Sequence, residues 1–192
     1  SILNAIYVQL SESKENDREV LKDFIRSITT SNKSVAESWI GERKMVDMCE
    51  LVVRYFYHPY MKGSNSIKSV LPCILKISSY LKNKYRNCLR EVNVSSLNFS
   101  EDHIWLPDMG IDPYSLLPDI DFSALSSYVS NMESIKDGGS ALAAYGKVQY
   151  TNMTKEERVI IRSALLKYCE LDTLAMVMIW EFFNNECQII IK

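Results

Sequence analysis

Histidine is nearly absent from this sequence. His58 and His103 stand 45 residues apart, so a multi-histidine metal site cannot form without many other ligands. Cysteine is sparse too: five residues, an odd number, with no Cys-x-x-Cys pair. That excludes a zinc ribbon and a secreted disulfide framework, and five reduced thiols fit a cytoplasmic protein. No apolar run reaches the ~18 residues of a membrane span and no signal-peptide pattern opens the sequence, so no membrane association is expected. With 47% hydrophobic residues and a net charge of −2, neither a disordered chain nor a histone-like basic protein is in view. A length of 192 residues suits a single domain over 1–192 that buries ~70% of its unfolded surface.

The near-zero net charge conceals an asymmetry. Residues 1–96 carry a charge of +5 and residues 97–192 a charge of −7. Between 62 and 90, Lys62, Lys68, Lys76, Lys82, Lys84, Arg86 and Arg90 occur without one acid. From 101 to 137 come Glu101, Asp102, Asp108, Asp112, Asp119, Asp121, Glu133 and Asp137 against Lys136 alone. The basic stretch has the charge to neutralise phosphates. It serves equally as a solvated helix face or as the partner of the acidic stretch, which is the commoner arrangement.

Periodicity predicts a mainly α architecture. Ile2, Leu3, Ile6 and Leu10 mark a first helix, and Asn16 or Asp17 caps a second with Val20, Leu21, Phe24, Ile25 and Ile28 on one stripe. Lys44–Asp47 is a short strand candidate, followed by a helix over Met48–Tyr57. Tyr55, Phe56, Tyr57, His58 and Tyr60 then crowd together; such clusters are usually core, though they also stack on bases. Ser64 or Ser66 caps a short helix that Pro72 interrupts, and the period resumes from Cys73 to Tyr85. Residues 91–121 hold Pro107, Pro113 and Pro118 without a long period and read as an irregular insertion. Phe122, Leu125 and Val129 suggest a helix, and Ser140 caps another after Asp137–Gly138–Gly139. Thr154-x-x-Glu157 is a capping box that opens a long helix, since 155–184 contain neither Gly nor Pro. Gln188–Ile191 is a second short strand candidate.

Asp172 is out of place on that last helix. It falls on an apolar stripe, four positions after Tyr168, so both side chains share a face. A carboxylate there must be paired, hydrogen-bonded or bound to metal. A structural reading has Tyr168 or a neighbouring loop donating to it.

The run Tyr168–Cys169–Glu170–Leu171–Asp172 resembles the last motif of the DEDD exonucleases of the tyrosine type. Lys44–Met48 resembles the central strand of their RNase H-like (DnaQ-like) α/β fold, and Ser66–Leu71 the helix after it. The set Tyr57–His58–Pro59, Met61–Ser64, Ser66–Pro72, Asp137–Gly139 and Tyr168–Met176 also resembles a prokaryotic domain family of uncharacterised function, often found with a RecB-like nuclease region. The resemblance implies the helical C-terminal portion of such a fold, with few short strands. It implies 3′–5′ exonuclease chemistry on DNA or RNA through two Mg²⁺ or Mn²⁺ ions, which generate a hydroxide and stabilise the attacking and leaving oxygens. Asp172 would be a metal ligand and Tyr168 would orient the attacking water. The implied nucleic-acid contacts are His58, Lys62, Ser64 and Lys68, with no small-molecule cofactor.

The sequence departs from the pattern at its first acidic motif. Its only Asp-x-Glu, Asp17–Arg18–Glu19, reads as a helix N-terminus, where acids favour the dipole. The expectation is therefore the C-terminal part of a larger protein, inactive alone, whose N-terminal remainder is its partner. The alternative is a non-catalytic nucleic-acid- or protein-binding helical module.

Overall fold

The computed structural model describes residues 2–33, 35–107, 112–119 and 135–190, with side chains to 185. Asp108, Asp121, Glu133, the expected helix at Phe122–Val129 and Ile191 lie outside the described residues. The chain forms two compact units, Ser1–Met48 and Cys49–Lys192.

In the first unit, α1 (Ile2–Glu12) and α2 (Arg18–Ile28) pack together. The face of α1 that turns inward is not the aliphatic stripe: Asn4 and Tyr7 are buried while Ile2 is exposed. Polar and aromatic partners decide this. Asn4 Nδ2 donates to the Thr30 carbonyl at 3.1 Å, and Tyr7 packs on Trp39 with ring centroids 4.8 Å apart. On α2 only Ile25 is buried, and Val20 and Phe24 stay exposed. Asp17 stands at the N-cap position of α2 without a side-chain capping bond, and Glu19 lies in the first turn, where an acid favours the helix dipole. Lys44–Asp47 is not a strand. Arg43 and Met45 donate to the carbonyls of Ser27 and Ile28 in an irregular return, beside one isolated bridge, Thr30 to Ile40.

After α3 (Met48–Tyr55), the second unit is built on α8 (Lys155–Ile190), a 36-residue helix. The capping box is present: Thr154 N–H donates to Glu157 Oε2 at 2.8 Å, and Glu157 N–H to Thr154 Oγ1 at 3.1 Å. The helix runs on through the expected tail strand to Ile190, since no Gly or Pro stops propagation. Among the described residues no strand forms, and only the bridges Thr30–Ile40 and Cys88–Ile104 break the helical pattern.

Against α8 pack α4 (Ile67–Ile77), α5 (Ser79–Tyr85) and α7 (Gly138–Tyr150). Val70, Leu71, Ile74, Leu81, Leu171 and Met178 form the centre of this core, all at or below 1% exposure. Pro72 does not interrupt α4. The break falls instead at Ser78, whose N–H closes α4 on the Ile74 carbonyl and whose Oγ caps α5 by accepting from Leu81 N–H at 3.2 Å. The insertion is tied down at its start. Leu89 and Arg90, in α6 (Leu89–Val92), donate backbone bonds to His103 and Glu101, and Asn98 Nδ2 donates to Glu170 of α8 at 2.6 Å. Among the described residues no helix is long and apolar enough to cross a membrane.

Candidate functional site

Asp172 sits at mid-length in α8, with two phenols beside its carboxylate. Tyr114 O–H donates to Asp172 Oδ1 at 2.5 Å, and the Tyr168 hydroxyl, one turn earlier on α8, interacts with the same carboxylate. Local sequence places Tyr114. The Asp112 side chain accepts from Tyr114 N–H at 3.1 Å and Pro113 holds the first position, so a single 3₁₀ turn forms at Pro113–Leu116. Both rings are buried, with centroids 6.1 Å apart.

Lys68 enters from the first turn of α4. Its ammonium lies 2.8 Å from the Tyr114 centroid and 5.0 Å from that of Tyr168, and it donates to the Lys136 carbonyl at 2.9 Å. The turn after Lys136 completes the cluster. Asp137 caps α7 in a capping box with Ser140, where Ser140 alone had been the expected cap. A Cβ added at Gly138 would meet the Tyr168 hydroxyl oxygen at 3.9 Å.

The electrostatics follow from burial and from this single carboxylate. Burial, then the bond to Asp172 and its charge, push both the Tyr114 and Tyr168 hydroxyls far above the ordinary phenol value. Neither phenol is a base at neutral pH, and Tyr114 is a fixed donor. Burial pulls the Lys68 ammonium below its ordinary value, against the pull of Asp172, Asp112 and Asp137. Bonds from Ser140, above all its backbone N–H, lower the exposed Asp137.

A metal has little purchase on these side chains alone. A carboxylate offers roughly four acceptor positions, of which Tyr114 takes one. Lys68 already supplies positive charge beside it, and among the described residues no group of three or more His, Cys, Asp or Glu could hold an ion. The described residues do not fit a two-ion site.

Of the residues expected from sequence, the structure brings together Tyr168, Asp172 and Lys68. Lys68 is turned inward onto two tyrosines rather than out toward a phosphate. His58, Lys62 and Ser64 surround a separate 3₁₀ turn, Pro59–Met61: His58 Nδ1 accepts from Tyr60 N–H, Lys62 closes the turn with φ 52°, and Ser64 Oγ accepts from Ser66 N–H. Tyr114 and the Lys136 carbonyl are the participants the sequence did not reveal. Asp112–Pro113 signals a helical turn, but nothing local says that the next side chain reaches α8. No protein-family model, curated protein or solved structure matches this chain.

Proposed function

We propose that this chain contributes the tyrosine–aspartate part of a metal-dependent 3′–5′ exonuclease of the DEDD type, acting on DNA or RNA. The supporting observation is convergence. Lys68, the Asp137–Gly138 turn, Tyr168 and Asp172, separated by up to 104 residues of sequence, meet at one place in the second unit. These belong to the same segments that carry the resemblance. In this reading Asp172 is one carboxylate of four, and the described residues do not gather the others around it. Tyr168 stays protonated beside the carboxylate, which suits an orienting hydroxyl and excludes it as the base.

One observation favours a second reading. Asp172 already accepts from Tyr114 and lies beside Tyr168, as a purely structural carboxylate would, and the chain is then a non-catalytic binding module. A single substitution separates the two. In the natural polypeptide that carries this segment, Asp172→Asn keeps the side-chain shape and removes the charge. Mn²⁺-dependent cleavage of a 3′-labelled oligonucleotide is expected to disappear, with Tm shifted by no more than ~4 °C, the order of 1 kcal/mol in a domain this size. Tyr168→Phe is expected to slow cleavage less. Unchanged cleavage with a sharply lowered Tm establishes the structural reading instead.

A further inference from the structure

The acid-free stretch 62–90 is sorted by the fold. Lys84 pairs with Glu181, Arg90 pairs with Glu101 and Asp102, and Lys68 is held in the tyrosine cluster. Lys62 and Lys76 have no ion-pair partner among the described residues, and both line one cavity of about 280 Å³ with Pro59, Tyr60 and Pro72. The Lys76 ammonium lies 3.7 Å from the Tyr60 centroid, so the ring quadrupole holds it at the rim. His58 packs against Tyr60 at 4.7 Å. Its Nδ1 accepts the Tyr60 N–H, which leaves Nε2 to carry the proton of the neutral ring as a donor. Beside this cavity in sequence, Tyr57 is 78% exposed, although an aromatic cluster is ordinarily core.

We propose that the Pro59–Lys62 turn and the C-terminal half of α4 form a docking site for single-stranded nucleic acid. Phosphates meet Lys62 and Lys76, and an unpaired base stacks on Tyr57. Charge selects the occupant: Lys62 and Lys76 line the cavity, and no carboxylate occurs in 62–90. The exposed ring selects single strands, because a duplex hides its base faces. Lys68 and Lys76 are eight residues apart on α4, which is about 12 Å of helix rise. The docking site is therefore distinct from the Asp172 cluster. It deepens the nucleic-acid part of the proposed function and does not depend on Asp172 holding a metal.

The test is fluorescence anisotropy of a labelled oligothymidylate titrated with the chain at rising NaCl. Binding at low salt is expected, weakening as salt rises, with the log–log slope reduced by about 0.7 for each of Lys62→Ala and Lys76→Ala. Tyr57→Ala is expected to weaken binding about tenfold. Tyr57→Leu keeps apolar bulk without a π face and is expected to lose as much, with circular dichroism unchanged. The titration contains no metal ion and reads binding alone, so loss of the hydrolytic reading leaves this one standing. The proposal is overturned by no binding at low salt, or by binding that the three alanine variants leave intact. Equal displacement by duplex DNA, or by polyglutamate, overturns it as well, in favour of an unspecific cationic surface or an acidic protein partner.

Discussion

Two lysines about two turns apart on α4 meet opposite fates. Lys68 is half-buried, lies against two tyrosine rings and gives its ammonium to the Lys136 carbonyl. Lys76 is exposed and rests on Tyr60 at the edge of an open cavity. Their neighbours differ correspondingly: buried Tyr114 and Tyr168 at one end, exposed Tyr57 and half-exposed Tyr60 at the other. The same residue types serve as internal structure where α8 and the Pro113–Leu116 turn close over them, and as an available surface where nothing does. Sequence spacing alone treats the two ends alike; burial separates them.

Truncation at the closed end should have the largest effect. Tyr114→Ala removes a 2%-exposed ring, the bed of Lys68 and the hydroxyl that donates to Asp172. A loss of about 3–5 kcal/mol is expected, the usual range for a buried aromatic. Tyr60→Ala at the open end should lose less than about 1 kcal/mol, because half of that ring is in water. Urea unfolding of both variants checks the contrast, and equal losses would break it. Tyr114→Phe isolates the hydroxyl: it keeps the packing, withdraws the donor to Asp172 and should cost about 1–3 kcal/mol.

The lysines themselves should matter less to stability than their contacts suggest. The Lys68 ammonium is disfavoured by burial more than Asp172, Asp112 and Asp137 favour it, since the net effect is a lowered pKa. Lys68→Met, which keeps the apolar stem, is expected to stay within about 1 kcal/mol of wild type, as buried charges replaced by apolar groups often do. Lys76→Met should leave unfolding unchanged and reduce oligonucleotide binding. A large destabilisation by Lys68→Met would show that the cation, not the tyrosines, holds the closed end together.

How much of this could be read in advance depends on how local its cause is. The Thr154–Glu157 box, the length of α8 without Gly or Pro, and the shared face of Tyr168 and Asp172 are short-range features, legible from spacing. Pro72 misled because a proline in a helix is judged by local geometry, while Val70, Leu71 and Ile74 bury enough apolar surface to carry α4 past it. The Gln188–Ile191 strand failed for a related reason, since a β-branched run at the end of a long helix adds residues more easily than it starts a new element. Tyr114 was illegible: its bond to Asp172 spans 58 residues, and only the fold brings the two together. The exposure of Tyr57 was hidden for the same reason, because composition cannot say which aromatics in a cluster find a neighbour.

The smallest expected effect is a pH dependence that belongs to neither end of α4 and so tests whether burial alone sets these behaviours. His103 is stacked on Phe99 at 4.4 Å and meets Trp105 edge-on at 4.5 Å, and its Nε2 is buried with no hydrogen-bond partner. Protonation would place a charged N–H there facing no acceptor. Burial accordingly lowers its pKa, with Lys167 adding to that effect and Glu170 opposing it. The unfolded chain then takes up this proton before the folded one does. Stability is fully present above the ordinary value of 6.5 and declines as pH falls from there toward the lowered folded value. One group can contribute at most about 1.4 kcal/mol per pH unit, and solvent around the exposed part of the ring should keep the effect well below that. Urea unfolding of wild type and His103→Phe between pH 5 and 8, roughly the range in which histidine titrates, isolates it from the carboxylates. The wild type should lose stability relative to the variant on the acid side only. A constant difference across the range would mean that His103 packs as an ordinary ring and that its buried Nε2 carries no electrostatic consequence.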